Sequence, residues 1–241
     1  YIIFFSRFPY YLPADYLREI KKRFRMAMNG IVSTSMREKG MDYRINFGLT
    51  LPLIRNIAES YTPNAELAQY LWKEQIRESK MLATWLYPAN EMNPDKAQQW
   101  AEEIPYPEIA DICCMNLFIK LPFAIQKASE WVTSDKDILR YTGYQLFNRL
   151  MMQNRYPDKA GEEKLISSVL NQDDREISSI RIVALNCIKR LMHRDLQTAE
   201  NTADIFRHIY ETENDRQKRF AEEILLEYVF CKDTLFPTQD K

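Results

Sequence analysis

The chain has 241 residues, of which 46% are apolar and 28% are charged, and its formal net charge is −1. This length suits one large domain or one solenoid, and it excludes a chain too small to bury a sizeable core. Only five residues are glycine, which disfavours hairpin-rich β folds, and no run of about 18 apolar residues could cross a membrane. A charge near zero is evidence against strong non-specific binding of DNA, because dedicated nucleic-acid binders usually carry a basic excess.

Apolar residues recur with helical spacing along most of the chain, and no alternating pattern persists beyond four or five residues. Prolines such as Pro52, Pro94 and Pro107 precede or open these segments, where a missing N–H costs nothing. The sequence therefore predicts an all-α fold. The predicted helices span 14–28, 30–38, 51–61, 64–74, 76–87, 94–104, 107–120, 123–133, 136–153, 158–171, 175–193, 197–212 and 215–230.

Two tryptophans mark a weak internal repeat. Trp72 and Trp131 each end one predicted helix, and the following helix carries Met81 or Arg140 nine residues later. Short connections between short helices favour antiparallel neighbours. We therefore expect a solenoid of antiparallel helix pairs, which is an α-α superhelix of the HEAT-like or ARM type with units of about 40 residues.

The two ends of the chain differ in character from its middle. Residues 1–13 are aromatic and apolar but too short to span a membrane, so we expect an N-terminal strap packed on the domain. Residues 195–241 carry 11 acidic and 6 basic side chains and are expected to form C-terminal capping helices. One helical domain is expected over residues 1–241.

The predicted helix 136–153 carries an apolar stripe that contains a glycine. The stripe consists of Leu139, Gly143, Leu146 and Leu150, spaced i, i+4, i+7 and i+11. A glycine inside a helix costs about 1 kcal/mol relative to alanine. We therefore expect a neighbouring helix to approach closely at Gly143.

Asp111 and Arg140 are candidate functional residues. Asp111 is the only acidic or basic residue between Ile109 and Ile119, so its carboxylate needs donors, a cation or water. It is either a helix-dipole partner in the first turns after Pro107 or a functional carboxylate. Arg140 flanks the apolar stripe, and it either snorkels from a packed face or holds a phosphate or carboxylate bidentately.

Four basic residues lie on the second helices of two predicted pairs. If those helices line one surface, these residues would form a basic track for phosphates, and otherwise they belong to solvated helix faces. The four residues are Arg77, Lys80, Arg181 and Lys189.

The cysteines and histidines do not suggest a metal site. None of the four cysteines forms a CxxC pair, and His193 and His208 lack a metal-ligand spacing in the sequence. Buried free thiols in a reducing cytoplasm are expected, with no metal and no cofactor. No conventional catalytic motif, such as GxSxG, HExxH, a Walker loop or GxGxxG, is present.

Several segments in a fixed order resemble the DNA alkylation repair enzyme (AlkD-like) family. Residues 46–58 read NFGLTLPLIRNIA, similar to the family's FG(I/L)xxPxxRxIA segment. Residues 66–72 (ELAQYLW) and 77–83 (RESKMLA) are similar to the family's next two helices, and Asp111 and Arg140 follow. The resemblance covers roughly residues 17–195.

This resemblance implies a HEAT-like solenoid that excises cationic alkylated purines from DNA by breaking the N-glycosidic bond. A cationic base is already a good leaving group, so one carboxylate that stabilises the sugar cation and orients water suffices. By resemblance, Asp111 takes that place and Arg140 matches the arginine that contacts DNA.

The sequence departs from the family pattern at two aromatic positions. Pro107 stands where the family has a tryptophan four residues before the catalytic aspartate, and Leu185 stands at a second aromatic position. Tyr106 is the nearest aromatic residue to the first position, but a shift of one residue turns a side chain by about 100° around a helix.

Two functions are therefore open. The first is an alkylpurine DNA glycosylase that binds double-stranded alkylated DNA, with Tyr106 and the four basic residues as DNA contacts. The second is a non-catalytic HEAT-like module that recognises DNA structure or a protein partner. Neither function requires a membrane, a metal or a cofactor.

Overall fold

The computed structural model describes residues 13–170, 178–212 and 215–237. Within these residues the chain is helical, and the only β pairing is an isolated bridge between Ile45 and Ile76. The all-α prediction is confirmed, and each predicted helix has a counterpart. None of the described helices is long and apolar enough to cross a membrane.

The α-helices begin and end within a few residues of the predicted bounds. Short 3₁₀ helices occupy Ala89–Glu91 and Phe118–Lys120, and a π-helix follows the last α-helix at Cys231–Leu235. The α-helices are α1 (Pro13–Met26), α2 (Gly30–Glu38), α3 (Leu51–Ala58), α4 (Ala65–Lys73), α5 (Arg77–Leu86), α6 (Pro94–Glu102), α7 (Pro107–Asn116), α8 (Ala124–Trp131), α9 (Asp137–Met151), α10 (Lys159–Leu170), α11 (Ser178–Met192), α12 (Leu196–Thr212) and α13 (Asp215–Phe230).

The described residues form two compact units, with the boundary between Asn93 and Pro94. The first unit contains α1 to α5, and the second contains α6 to α13. A single domain over 1–241 stays a prediction. The strap predicted for residues 1–13 lies, up to residue 12, outside the described residues.

Asparagine caps start two helices of the first unit. The side-chain oxygen of Asn29 accepts a hydrogen bond from the backbone N–H of Val32, and that of Asn64 accepts one from Leu67. Each cap satisfies a backbone donor that the first helical turn leaves free. Thr50, by contrast, occupies the N-cap position of α3 without a side-chain capping hydrogen bond.

A buried carboxylate organises the loop before α3. Glu78 is fully buried, and its two oxygens accept hydrogen bonds from the backbone N–H groups of Phe47 and Leu49 at 3.1 and 3.2 Å. Gly48 between them has φ +70, and a Cβ there would lie 2.3 Å from the carbonyl oxygen of Asn29. Glycine at position 48 is thus required by its positive φ and by the close approach of two backbone segments.

The close approach expected at Gly143 is present in the second unit. A Cβ on Gly143 would lie 2.7 Å from the backbone nitrogen of Val132 and 3.0 Å from the carbonyl carbon of Trp131. The end of α8 therefore packs directly on the backbone of α9. Trp131 is buried, and its indole N–H donates to Gln98 Oε1 on α6 at 2.7 Å.

The prediction of buried free thiols is also confirmed. The four cysteines are free and lie in the interior. They are Cys113, Cys114, Cys187 and Cys231.

Candidate active site

Asp111 lies in the second turn of α7 and is half-buried. Its Oδ1 atom accepts two hydrogen bonds from α9, one from the Tyr141 hydroxyl at 3.0 Å and one from Gln145 Nε2 at 2.8 Å. In the part of the chain that the structure describes, no donor reaches Oδ2. The carboxylate is therefore fixed in orientation through one oxygen, and the other oxygen remains available.

One polar row on α9 faces this carboxylate. Tyr141, Gln145 and Arg149 are spaced i, i+4 and i+8, which places them on one side of the helix. The positive charge of Arg149 stabilises the ionised form of Asp111. The Nε atom of Arg149 is buried and has no hydrogen-bond partner among the described residues.

Burial raises the pKa of the Asp111 carboxyl above its ordinary value. The hydrogen bonds from Tyr141 and Gln145 and the charge of Arg149 lower this pKa, and the charge of Glu108 raises it. Burial raises this pKa more than the hydrogen bonds and the Arg149 charge lower it. The contacts therefore compensate the negative charge of the carboxylate only in part. An incompletely neutralised carboxylate of fixed orientation favours a positive charge that develops beside it.

Burial also raises the pKa of the Tyr141 hydroxyl, and the neighbouring charge of Asp111 acts in the same direction. The phenol therefore stays protonated and remains a donor to the carboxylate. Cys114, on the same helix as Asp111, donates its S–H to the carbonyl oxygen of Thr142 at 3.6 Å. Burial raises the pKa of this thiol, so Cys114 is a packing residue rather than a nucleophile.

The structure does not bring Arg140 to the Asp111 carboxylate. The contacts of Asp111 come from Tyr141 and Gln145, and the cation that acts on it is Arg149. Arg140 and Arg149 are nine residues apart, which corresponds to about 180° around an α-helix. They therefore lie on opposite sides of α9.

Arg140 is held at the start of α9. Its Nη1 donates to the carbonyl oxygen of Ser134 at 3.0 Å, and its Nη2 pairs with Asp137 Oδ1 at 2.6 Å. The Asp137 side chain is 54% exposed, whereas that of Arg140 is 19% exposed. A contact between Arg140 and a DNA phosphate would replace the exposed Asp137 partner, and this role stays a prediction.

Tyr106 occupies the N-cap position of α7 and is half-exposed. Its backbone is extended, and Pro107 begins the helix after it. Asp111 follows one helical turn later, on the same element. The DNA contact expected for Tyr106 stays a prediction.

Arg77 and Lys80, expected as phosphate contacts, are buried side chains of the first unit. Arg77 Nη1 donates to the carbonyl oxygen of Leu49 at 3.0 Å and pairs with Glu78 at 2.9 Å. Lys80 Nζ donates to the carbonyl oxygen of Trp72 at 2.8 Å, near the end of α4, where a cation is favourable. A phosphate contact would require both cations to leave these partners, so we do not retain them as DNA contacts.

Arg181 and Lys189 are half-buried on α11 in the second unit. The Arg181 guanidinium lies over the ring of Phe220 at 5.8 Å. Lys189 Nζ pairs with Glu223 at 2.8 Å and lies 3.9 Å from a Glu227 oxygen. The two glutamates offset the charge of Lys189, so it offers little net attraction to a phosphate. Contact of either residue with DNA stays a prediction.

The comparisons with known proteins agree with this fold. The family model described as DNA alkylation repair enzyme matches residues 20–177. A solved structure described as "a new family of proteins related to the HEAT-like repeat DNA glycosylases with affinity for branched DNA structures" is similar at a TM-score of 0.68 and 13% sequence identity. The similarity covers 80% of this chain and 82% of that chain, and it identifies the fold as HEAT-like. No curated protein matches the sequence.

Proposed function

This chain belongs to the DNA alkylation repair enzyme family, and from that premise we propose that it hydrolyses the N-glycosidic bond of cationic alkylated purines in DNA. The Asp111 carboxylate carries the proposal. Asp111 would stabilise the positive charge that develops on the deoxyribose and would orient the attacking water.

The chemistry suits a site with a single carboxylate. An alkylated purine that is already cationic leaves as a neutral base, so its departure needs no proton from the protein. The sugar becomes oxocarbenium-like as the bond breaks, and a fixed negative charge lowers the free energy of that state. Because Asp111 is partly removed from water, its attraction to the sugar cation is stronger than that of a solvated carboxylate.

The hydrogen bonds on Asp111 support a division of labour between its two oxygens. Tyr141 and Gln145 hold Oδ1, which fixes the plane of the carboxylate before DNA binds. Oδ2 is left for the sugar or for water. A group oriented in advance needs no reorganisation during the reaction, which is the main advantage of a preorganised site.

Arg149 and Arg140 are the proposed phosphate ligands. Arg149 lies on the Asp111 side of α9 with a buried Nε that lacks a partner among the described residues, and a guanidinium that turned outward could offer this donor to a phosphate oxygen. Arg140 would contact the backbone by exchanging Asp137 for a phosphate. Tyr106, at the start of the helix that carries Asp111, would contact the damaged nucleotide.

A second candidate function is a DNA-structure-binding protein without glycosylase activity. Pro107 and half-buried Leu185 stand at positions where the family pattern has aromatic residues, so a bound nucleotide would not meet aromatic rings there. The solved structure with the similar fold is described as having affinity for branched DNA. With this second function, the protein would make the phosphate contacts but would not cleave the N-glycosidic bond.

The experiment measures free methylated purine released from DNA treated with a methylating agent. The wild-type protein is compared with Asp111→Asn and with Asp95→Asn, which removes an exposed carboxylate from the first turn of α6 in the same unit. We expect release at similar rates by wild type and Asp95→Asn, and release about 10²–10³-fold slower by Asp111→Asn. Release by Asp111→Asn at the wild-type rate would refute the assigned role, and no release by wild type would favour the second function.

DNA binding is tested separately by titrating salt. Affinity for linear and four-way branched duplexes is measured by fluorescence anisotropy at several salt concentrations. Each phosphate neutralised contributes about 0.9 to the slope of log K against log salt. A slope near zero would show that phosphates are not the ligand and would point to a protein partner.

A further inference from the structure

Three potential metal ligands meet in the second unit where the end of α11 packs against α13. His193 follows the last residue of α11, Glu227 lies in the last turn of α13, and Cys231 begins the π-helix. His193 Nε2 and Glu227 Oε1 are 2.6 Å apart, and the three ligand atoms lie within 4.8 Å of one another. The sequence hides this group because 34 residues separate His193 from Glu227.

We propose that His193, Glu227 and Cys231 form a binding site for a zinc-class divalent cation, with a fourth position open to water. A ligand set of one imidazole nitrogen, one thiolate sulfur and one carboxylate oxygen suits a borderline-soft ion such as Zn²⁺. Hard ions such as Mg²⁺ and Ca²⁺ select oxygen ligands and would not use Cys231.

The spacing of the ligand atoms is close to that of an occupied site. In a tetrahedral zinc site, bonds of about 2.0 Å to nitrogen and oxygen and about 2.3 Å to sulfur place neighbouring ligand atoms about 3.3–3.6 Å apart. The ion would open the contact between His193 and Glu227 and draw the sulfur inward. Shifts on the order of 1 Å or less are sufficient, and the displaced thiol proton passes to solvent.

The backbone already presents two of the ligands together. Glu227 and Cys231 are four residues apart across the junction of α13 with the π-helix, which places both on one side of the helix. A π turn is rare and occurs frequently at functional sites. Cys231 is buried, whereas His193 and Glu227 are half-exposed, so an ion can enter from solvent.

The neighbouring charges leave room for a cation. The Lys189 ammonium lies near this group, but it is 2.8 Å from Glu223 and 3.9 Å from Glu227 Oε2. The two glutamates offset its charge, and the Glu227 Oε1 atom faces His193. The Phe230 ring lies 6.2 Å from the His193 ring and limits solvent on one side.

Such an ion would fasten α11 to α13. The site lies on elements other than α7 and α9, which carry Asp111 and its partners. Metal binding is therefore independent of the proposed glycosylase activity, and either proposal can fail without the other.

The experiment uses Co²⁺ as a spectroscopic probe with the full chain stripped by a chelator. Thiolate coordination gives a charge-transfer band in the near ultraviolet and tetrahedral ligand-field bands in the visible region, and Zn²⁺ should displace both. We expect these bands in wild type and in Cys187→Ser, which removes a buried thiol on α11 outside the cluster. They should be absent in Cys231→Ser.

If Cys231→Ser does not fold, His193→Gln tests whether this cluster binds the cation. His193→Gln changes a half-exposed residue and keeps a donor for Glu227, and it should weaken Co²⁺ binding by at least about 100-fold, because even outer-shell partners account for about 10–100-fold. Absence of the charge-transfer band in wild type would overturn the proposal. Unchanged affinity in His193→Gln would overturn it as well.

Discussion

Replacing Gly143 with alanine tests the packing that positions the α9 side of the site. The new Cβ would lie 2.7 Å from a backbone atom of Val132, whereas ordinary contacts are 3.4–4 Å, so α8 or α9 must move by about 0.7 Å or more. Overpacking of this kind costs about 1–3 kcal/mol. Alanine is about 1 kcal/mol more favourable than glycine inside a helix, which offsets part of this cost. The net loss in the free energy of unfolding is therefore up to about 2 kcal/mol.

The assay is thermal unfolding followed by circular dichroism. A loss of about 2 kcal/mol corresponds to a fall in Tm of roughly 4–8 °C for a chain of this size. Gly30→Ala is the matched control, since a Cβ at the first residue of α2 would meet no atom within 4 Å. Its Tm should equal or exceed that of wild type. A Tm for Gly143→Ala above the wild-type value would contradict the close packing of α8 on α9.

Three further substitutions test individual side chains. Tyr141→Phe removes one donor to the ionised carboxylate, so the pKa of Asp111 should rise further. The acidic limb of the plot of base-release rate against pH should then move to higher pH, and an unmoved limb would contradict this. Glu78→Gln removes the negative charge that lies 2.9 Å from the buried Arg77 guanidinium and should cost about 3–5 kcal/mol in urea unfolding. A change below about 1 kcal/mol would contradict a strong contribution from this buried pair. Arg140→Ala should reduce the salt slope of DNA binding by about 0.9 if Arg140 neutralises one phosphate, and an unchanged slope assigns Arg140 a structural role.

The raised pKa of Asp111 also has a consequence for stability. Just above the ordinary carboxyl pKa, the folded chain binds more protons at Asp111 than the unfolded chain does. The Asp111 contribution to the free energy of unfolding therefore falls as pH rises through that window. Asp111→Asn removes this contribution, so its unfolding free energy should decline less than that of wild type between acid and neutral pH. An identical pH dependence of urea unfolding in the two proteins would contradict the direction of the shift.

Helix positions follow from local signals, which the sequence displays directly. Proline at a helix start and period-3.6 apolar spacing act within a few residues, so the predicted starts of α3, α7 and α9 lie within one residue of the observed ones. The close approach at Gly143 is predictable for the same reason, because a glycine inside an apolar stripe has a local cost that only packing explains.

The partners of Asp111 are set by the packing of two helices, and no local signal predicts them. Tyr141 and Gln145 are 30 and 34 residues from Asp111. The sequence contains the polar row Tyr141, Gln145 and Arg149, spaced i, i+4 and i+8. This spacing does not indicate which helix the row faces. The family resemblance names Arg140 as a DNA contact and says nothing of Tyr141, Gln145 or Arg149.

The sequence does not predict the burial of Arg77 and Lys80, for a different reason. Charged residues are exposed by default because burial of an unpaired charge is costly. Here the adjacent Glu78 and two backbone carbonyls supply partners inside the fold. A run of Arg-Glu followed by Lys at the start of α5 is equally typical of a solvated helix, and only the packing distinguishes the two arrangements.

The role of Asp111 in base release is measured by single-turnover excision from a duplex that carries one cationic methylated purine, with the unmodified duplex as the control. Wild type should release the cationic base and leave the neutral purine in place. Asp111→Asn should slow release by about 10²–10³-fold, the usual cost of one preorganised electrostatic group. Equal rates for wild type and Asp111→Asn, or no release by wild type, would show that Asp111 does not act in this way.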